Sequence, residues 1–213
     1  MSKNGLTISL NEVLFYFTRA GFGVNASIGV SEDFARSNIW IAQNGFDPSE
    51  CSLLALDNLD SQTSSLSIQF EKTGDGSHLF CSEGKVLSAI EASVSCVDWL
   101  EFNGLDGDLK LTNVDSPLLV VSALGANQCT GIQASWTDKS NNHYEVNLKD
   151  DIEWEIISSS EAPIELSNCA DIYISAFDVN NKTSISNGKL KTLNIAEERL
   201  KTLNNGVNVG DKW

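Results

Sequence analysis

Histidine, methionine, proline and basic charge are all scarce in this chain of 213 residues, which has two histidines, one methionine, three prolines and 14 Lys plus Arg against 29 Asp plus Glu. Two histidines leave little material for a histidine-built metal or proton-relay site. The net charge of −15 repels phosphate backbones and anionic lipid headgroups, so neither nucleic acid nor a membrane surface is expected as a partner. No run approaches the roughly 18 consecutive apolar residues of a membrane helix, and the opening "MSKNGLTISLNEV" lacks the apolar core and cleavage site of a secretory signal. Five cysteines, Cys51, Cys81, Cys96, Cys129 and Cys169, are scattered, odd in number and never spaced C-x-x-C. That excludes a disulfide framework and a zinc site, and predicts free thiols in a cytoplasmic protein. No metal and no cofactor is expected, and there is no internal repeat.

What is present is an ordinary hydrophobic share of 41%, enough for a single domain over 1–213 with a substantial core. Ser9 and Glu12 have the spacing of a capping box. Leu10, Val13, Leu14 and Phe17 follow at helical spacing. Gly21 and Gly23 are expected to end this helix, and a second to start near Ser31 with Glu32 and Asp33 in its first turn. The pattern predicts a helical hairpin over about 9–45, packed through Leu14, Phe17, Phe34 and Ile41, with Trp40 also inward and "NGFDP" as its stop.

A polar connection then leads into a body of changed period over about 60–180. "LSIQFEKTGDGSHLFCS" reads as a β-hairpin turning at Asp75-Gly76, and 83–104 as a helix with Val86, Leu87, Ile90, Val94 and Val97 inward. "DGDLKLTNV" reads as a strand, "DSPLLVVSALGAN" as a short buried helix closed by a glycine, and "GIQASWTD" with "HYEVNL" as a second hairpin. "DIEWEI" and "ADIYISAF" read as further strands, and about 180–213 as an extended segment with one amphipathic stretch, "IAEERLKTL". The expected class is α+β: an N-terminal helical hairpin leading into a mixed or antiparallel sheet with packed helices.

Few residues offer chemistry. "AGFGVNASIG" lacks both the G-x-G-x-x-G spacing and the preceding strand of a dinucleotide loop, so it is expected to be a hinge. His78 and Cys81, three apart in a strand, face opposite ways and cannot share a metal. His143 sits beside the "KSNN" turn and is expected in solvent. Asp151, Glu153 and Glu155, next to Asp150, alternate with Ile152, Trp154 and Ile156, as on the wet side of a half-buried strand. No residue is assigned a catalytic or metal-binding role.

"SLNEVLFYFTRAGFGVNASIGVSEDFARSNIWIAQNGFDP" resembles the opening of an uncharacterised bacterial family, catalogued as domain of unknown function 3726. The matching positions are Ser9, Leu10, Asn11, Glu12, Val13, Ala20, Gly21, Gly23, Glu32, Asp33, Ala35, Trp40 and Gly45. "NVDSPLLVVSALG" resembles a second block of that family, and "NGVNVGDKW" its Val/Trp segment, after which the family carries a C-terminal motif not found here. The opening also resembles, more faintly, the malate/L-lactate dehydrogenases that lack a Rossmann fold, in which W-x-x-x-x-G-x-D-S-H-G brings a histidine to the substrate. Here Trp40, Gly45 and Asp47 fit, while Pro48, Ser49 and Glu50 stand in the S-H-G positions. The resemblance therefore implies a dehydrogenase-like element without its histidine.

Two functions follow as expectations. The first is a cytoplasmic binding or accessory module without a catalytic site, taking a small-molecule ligand or a protein partner, with homodimerisation open. The alternative is a small-molecule oxidoreductase related to those dehydrogenases. The balance of residues points away from an enzyme.

Overall fold

A computed structural model describes residues 8–74, 76–82, 84–149, 154–158 and 169–177. Among them are helices α1 (Leu10–Gly23), α2 (Ile28–Gln43), α3 (Pro48–Asp60), α4 (Ala89–Asn103) and α5 (Pro117–Ala126). The strands are β1 (Ser64–Ser65), β2 (Ile68–Thr73), β3 (Gly76–Cys81), β4 (Val86–Leu87), β5 (Leu109–Val114), β6 (Ile132–Thr137), β7 (His143–Leu148), β8 (Trp154–Ser158) and β9 (Ala170–Ala176). The architecture is α+β, with the helical hairpin ahead of a mixed sheet, as the sequence patterns imply.

The capping box forms as spaced: Ser9 Oγ accepts from Glu12 N–H at 3.3 Å and Glu12 Oε2 accepts from Ser9 N–H at 2.7 Å. Those bonds to Ser9 hold the Glu12 carboxyl below its ordinary value. Helix α1 packs on α2, with Phe17 edge-on to Phe34 at 5.7 Å between ring centroids. Three of the four expected contacts, Phe17, Phe34 and Ile41, are buried, but Leu14 is 37% exposed. The apolar stripe is wider than the buried one, so Leu10 and Leu14 fall at its edge. Gly21 does not end α1. It lies inside the helix, where an added Cβ would stand 3.1 Å from Ser31 Oγ, so its role is close packing against α2. Helix α2 begins earlier than Ser31, at Ile28, because Ser27 Oγ accepts from Val30 N–H.

Two segments differ from expectation. The polar connection after Pro48 is helix α3, capped by Asp47 with Pro48 in its first turn. Proline both forbids continuation of the preceding helix and suits the start of the next. Within 83–104 the helix starts only at Ala89, and Val86-Leu87 form β4. The segment 178–213, with "IAEERLKTL" and Trp213, lies outside the described residues, as do Asp75, Asp150, Asp151 and Glu153.

The main sheet path runs β1-β4-β5-β9-β6-β7-β8, and the β2–β3 hairpin joins it through β3 beside β5. β1, β4 and β5 are parallel neighbours, and β3 is parallel to β5; the remaining pairings are antiparallel. Helix α5 contacts α2, α3, α4 and β9, and its residues Pro117 to Leu124 are all buried. Helices hydrophobic all round belong in an interior, and α5 is the centre of this one. Gly125, read from sequence as a closing cap, lies within α5, and an added Cβ would stand 2.3 Å from Trp40 Cε2. It admits the Trp40 ring between α2 and α5.

Candidate functional site on the outer face of the sheet

Alternation divides the sheet into two chemistries. Leu79, Leu109, Leu111, Ala134, Trp136, Val146, Ile172 and Ile174 are buried on one face. Opposite them, His78, Lys110, Thr112, Asp171 and Tyr173 share the outer face and remain half-exposed or exposed. Register brings these five together: His78 pairs with Lys110 across β3 and β5, and Lys110 with Tyr173 across β5 and β9.

His78 Nε2 is 2.7 Å from Thr112 Oγ1, and its ring lies 4.8 Å from that of Phe80. Lys110 Nζ donates to Asp171 Oδ2 at 2.9 Å and stands 5.4 Å from the centroid of the Tyr173 ring. Asp171 Oδ1 also accepts from Asn113 N–H at 2.9 Å. Asn113 has φ +53° at a register shift between Leu111 and Val114, so a β-bulge turns its N–H toward the carboxylate. Partial burial alone would raise the Asp171 carboxyl, but the bonds from Lys110 and Asn113 outweigh it and leave it below its ordinary value. The bond to Asp171 raises Lys110. Both side chains are more than a third exposed, so solvent screens the pair. Together these groups offer exposed aromatic surface, one cation already balanced by a carboxylate, and a hydroxyl-tied imidazole. They can bind a flat polar molecule by stacking and hydrogen bonding.

His78 and Cys81 do face opposite ways, with Cys81 buried. His143 is exposed, its Nδ1 3.3 Å from Thr137 Oγ1. All five cysteines are free, and no group of three or more metal-ligating side chains occurs among the described residues. No described helix is long and apolar enough to cross a membrane. Glu155 falls in β8, at the register position opposite Asn147. At the corner between α2 and α3, Asp47 Oδ1 accepts from Ser49 N–H at 2.9 Å and Ser49 Oγ–H at 2.6 Å, with both residues buried. The position that the dehydrogenase resemblance gives to a histidine is therefore held by a buried serine inside a helix cap. A crevice of about 100 Å³ rimmed by Asp33, Asp98 and Glu101 is below the few hundred Å³ of a usual small-molecule site.

Lys110, Thr112, Asp171 and Tyr173 were not singled out by sequence. "LKLTNV" and "ADIYISA" show the alternation that puts them outward, but which strands adjoin is a long-range fact.

No family model matches this sequence, and no curated protein does. The fold has counterparts among solved structures. A malate dehydrogenase from Pyrococcus horikoshii OT3 aligns over 77% of this chain and 53% of its own, with TM-score 0.53 and 12% identity. A delta1-piperideine-2-carboxylate reductase from Pseudomonas syringae pvar. tomato aligns over 75% and 54%, with TM-score 0.51 and 11% identity. A sulfolactate dehydrogenase from Methanocaldococcus jannaschii aligns over 97% of both chains, with TM-score 0.51 and 8% identity. The chain spans about half the length of the first two. At these identities the likeness is one of fold.

Proposed function

We propose that this chain is a ligand-binding module on a dehydrogenase-like fold, without the histidine-based proton relay of a 2-hydroxy-acid dehydrogenase. Its ligand is a small planar polar molecule, held on the outer face of the sheet by Tyr173, Lys110 and His78. The observation that carries this reading is the α2–α3 corner, where the Ser49 hydroxyl is bonded to Asp47 and sealed from solvent. A buried hydroxyl so engaged cannot exchange protons with a substrate. The test is titration with reduced and oxidised nicotinamide cofactors, each with and without malate, lactate or sulfolactate, following melting temperature, amide shifts and cofactor absorbance. Binding that perturbs Lys110, Thr112 and Tyr173 without turnover is the expected result; binding confined to other surfaces overturns it.

A second reading, a small-molecule oxidoreductase, is favoured by the three structural counterparts, whose names all denote dehydrogenases or a reductase. Steady change in cofactor absorbance with any of those acids would establish it over the first.

A further inference from the structure

β2 pairs with β3 from Ile68 opposite Cys81 to Thr73 opposite Gly76, without a register shift. Among the described residues no strand pairs with its other edge, and Gln69 to Thr73 are all exposed. Which backbone groups face outward follows from β3. Ser77 N–H donates to Asp108 O at 2.8 Å, so Ser77 and every second residue after it turn their N–H and C=O to β5, while His78 and Phe80 turn theirs to β2. Glu71 and Gln69, opposite those two, bond back to β3. Ile68, Phe70 and Lys72 therefore present their N–H and C=O groups along the outer edge.

Such an edge is a template for another strand, and folded chains blunt it with proline, a bulge or clustered charge. β2 has neither proline nor bulge, and Phe70 stands near its middle, 55% exposed.

We propose that the edge of β2 pairs with the same edge of a second copy of this chain, antiparallel about a two-fold axis perpendicular to the sheet at Phe70. In that register Phe70 meets Phe70 of the second copy, and Ile68 meets Lys72 in both directions. All three pairs are of the kind that exchanges both backbone hydrogen bonds. On the outer face Gln69 stands opposite Glu71 as donor to acceptor, and on the helix side the two phenylalanine rings come together. An axis one residue away keeps two such backbone pairs within the strand, and at Glu71 it also sets two carboxylates face to face. The strand is thus complementary to itself, and its own copy is the partner it fits. A six-residue pairing covers less than the roughly 800 Å² per partner of a tight complex, and each copy carries a net charge of −15. The dimer is therefore weak, reversible and strengthened by salt, which screens the repulsion.

The test is sedimentation of the intact protein from micromolar to millimolar concentration at low and high salt, with residue-resolved amide exchange at both ends of that range. The expected result is a monomer–dimer equilibrium that shifts toward dimer with salt, the Ile68, Phe70 and Lys72 amides being open in dilute protein and protected in the dimer. Monomer throughout, or a dimer that leaves those amides open, would overturn the proposal. So would protection already present in the dilute monomer, which would mean that this chain covers the edge itself. Lys72→Pro removes an outward N–H that the hairpin does not use. It should raise the dimer dissociation constant at least tenfold and leave the melting temperature of dilute protein unchanged. Phe70→Thr, which keeps every backbone donor and acceptor, should weaken the dimer as well and gives the reading should the proline variant not fold. Undiminished dimer in either variant would place the contact elsewhere and end the proposal.

Discussion

On β5 and β9, Leu109, Leu111, Ile172 and Ile174 point into the helices, while Lys110, Thr112, Asp171 and Tyr173, their immediate chain neighbours, point the other way. The inner set acts through volume and area: each side chain touches many others, and loss of any one leaves a void. The outer set acts through pairs, and each pair is half in solvent, where charge and hydrogen bonding contribute little to folding. Backbone shared residue by residue thus carries two separable chemistries, apolar packing inward and half-solvated polar pairing outward.

The comparison breaks most visibly if an interior change proves harmless. Phe17→Ala, which removes a buried ring stacked edge-on to Phe34, should cost about 3–5 kcal/mol, measured by denaturant unfolding. A loss below about 1 kcal/mol would mean the hairpin is not part of the core.

Asp115 is a carboxyl with no exposed surface, at the start of α4. Its folded value of about 6 lies above the ordinary 3.8, so the folded protein holds this proton more tightly than the unfolded chain does. Its contribution is therefore fully present below pH 3.8 and is lost as pH rises to about 6, by up to about 3 kcal/mol. Asp115→Asn should flatten that window, so that the variant compares better with the parent at pH 7 than at pH 4. An unchanged pH profile would count against an ionised Asp115 in the interior.

Gly125→Ala is the next smaller perturbation. The new methyl group meets the Trp40 ring rather than a flexible tail, so α2 and α5 must part slightly, at about 1–3 kcal/mol. Thermal melting and Trp40 fluorescence would report it together.

Lys110→Met sharpens the contrast from the outer side. The ion pair with Asp171 is more than a third exposed, so melting should move by less than about 1 kcal/mol in equivalent stability. Ligand binding by the outer face should weaken at least tenfold in the same variant, measured by calorimetry. Equal losses of stability and binding would remove the distinction between the faces.

Legibility followed the same division. The capping box at Ser9 and Glu12, the buried run Pro117 to Leu124 and the alternation in "GIQASWTD" are local, and each formed the expected element. Helix α3 escaped notice because serines and aspartates dilute its apolar positions. Its start was nonetheless written in Asp47-Pro48-Ser49-Glu50, an N-cap followed by a first-turn proline and an acid. Val86 and Leu87 fit a helix or a strand equally, since two residues define no period. Gly21 and Gly125 looked like terminators because chain conformation is the commonest use of glycine, whereas here each makes room for a neighbouring helix. The outer-face cluster depends on strand order, which joins His78 to Lys110 and Lys110 to Tyr173 across separations no window spans.

The bulge at Asn113 has a counting consequence. Between Leu111 and Val114 the strand advances three residues while its partner β9 advances two, from Ile172 to Ala170, so the parity of inward and outward positions inverts there. The extra residue leaves Val114 in the interior and delivers Asp115 to the start of α4, one position later than an even strand would. Deleting Asn113 would restore an even ladder with Val114 still inward opposite Ala170, and would cost Asp171 the backbone N–H it now accepts from. What the insertion adds is therefore one outward-turned N–H, held at φ +53°, which an even strand would have spent on its own ladder.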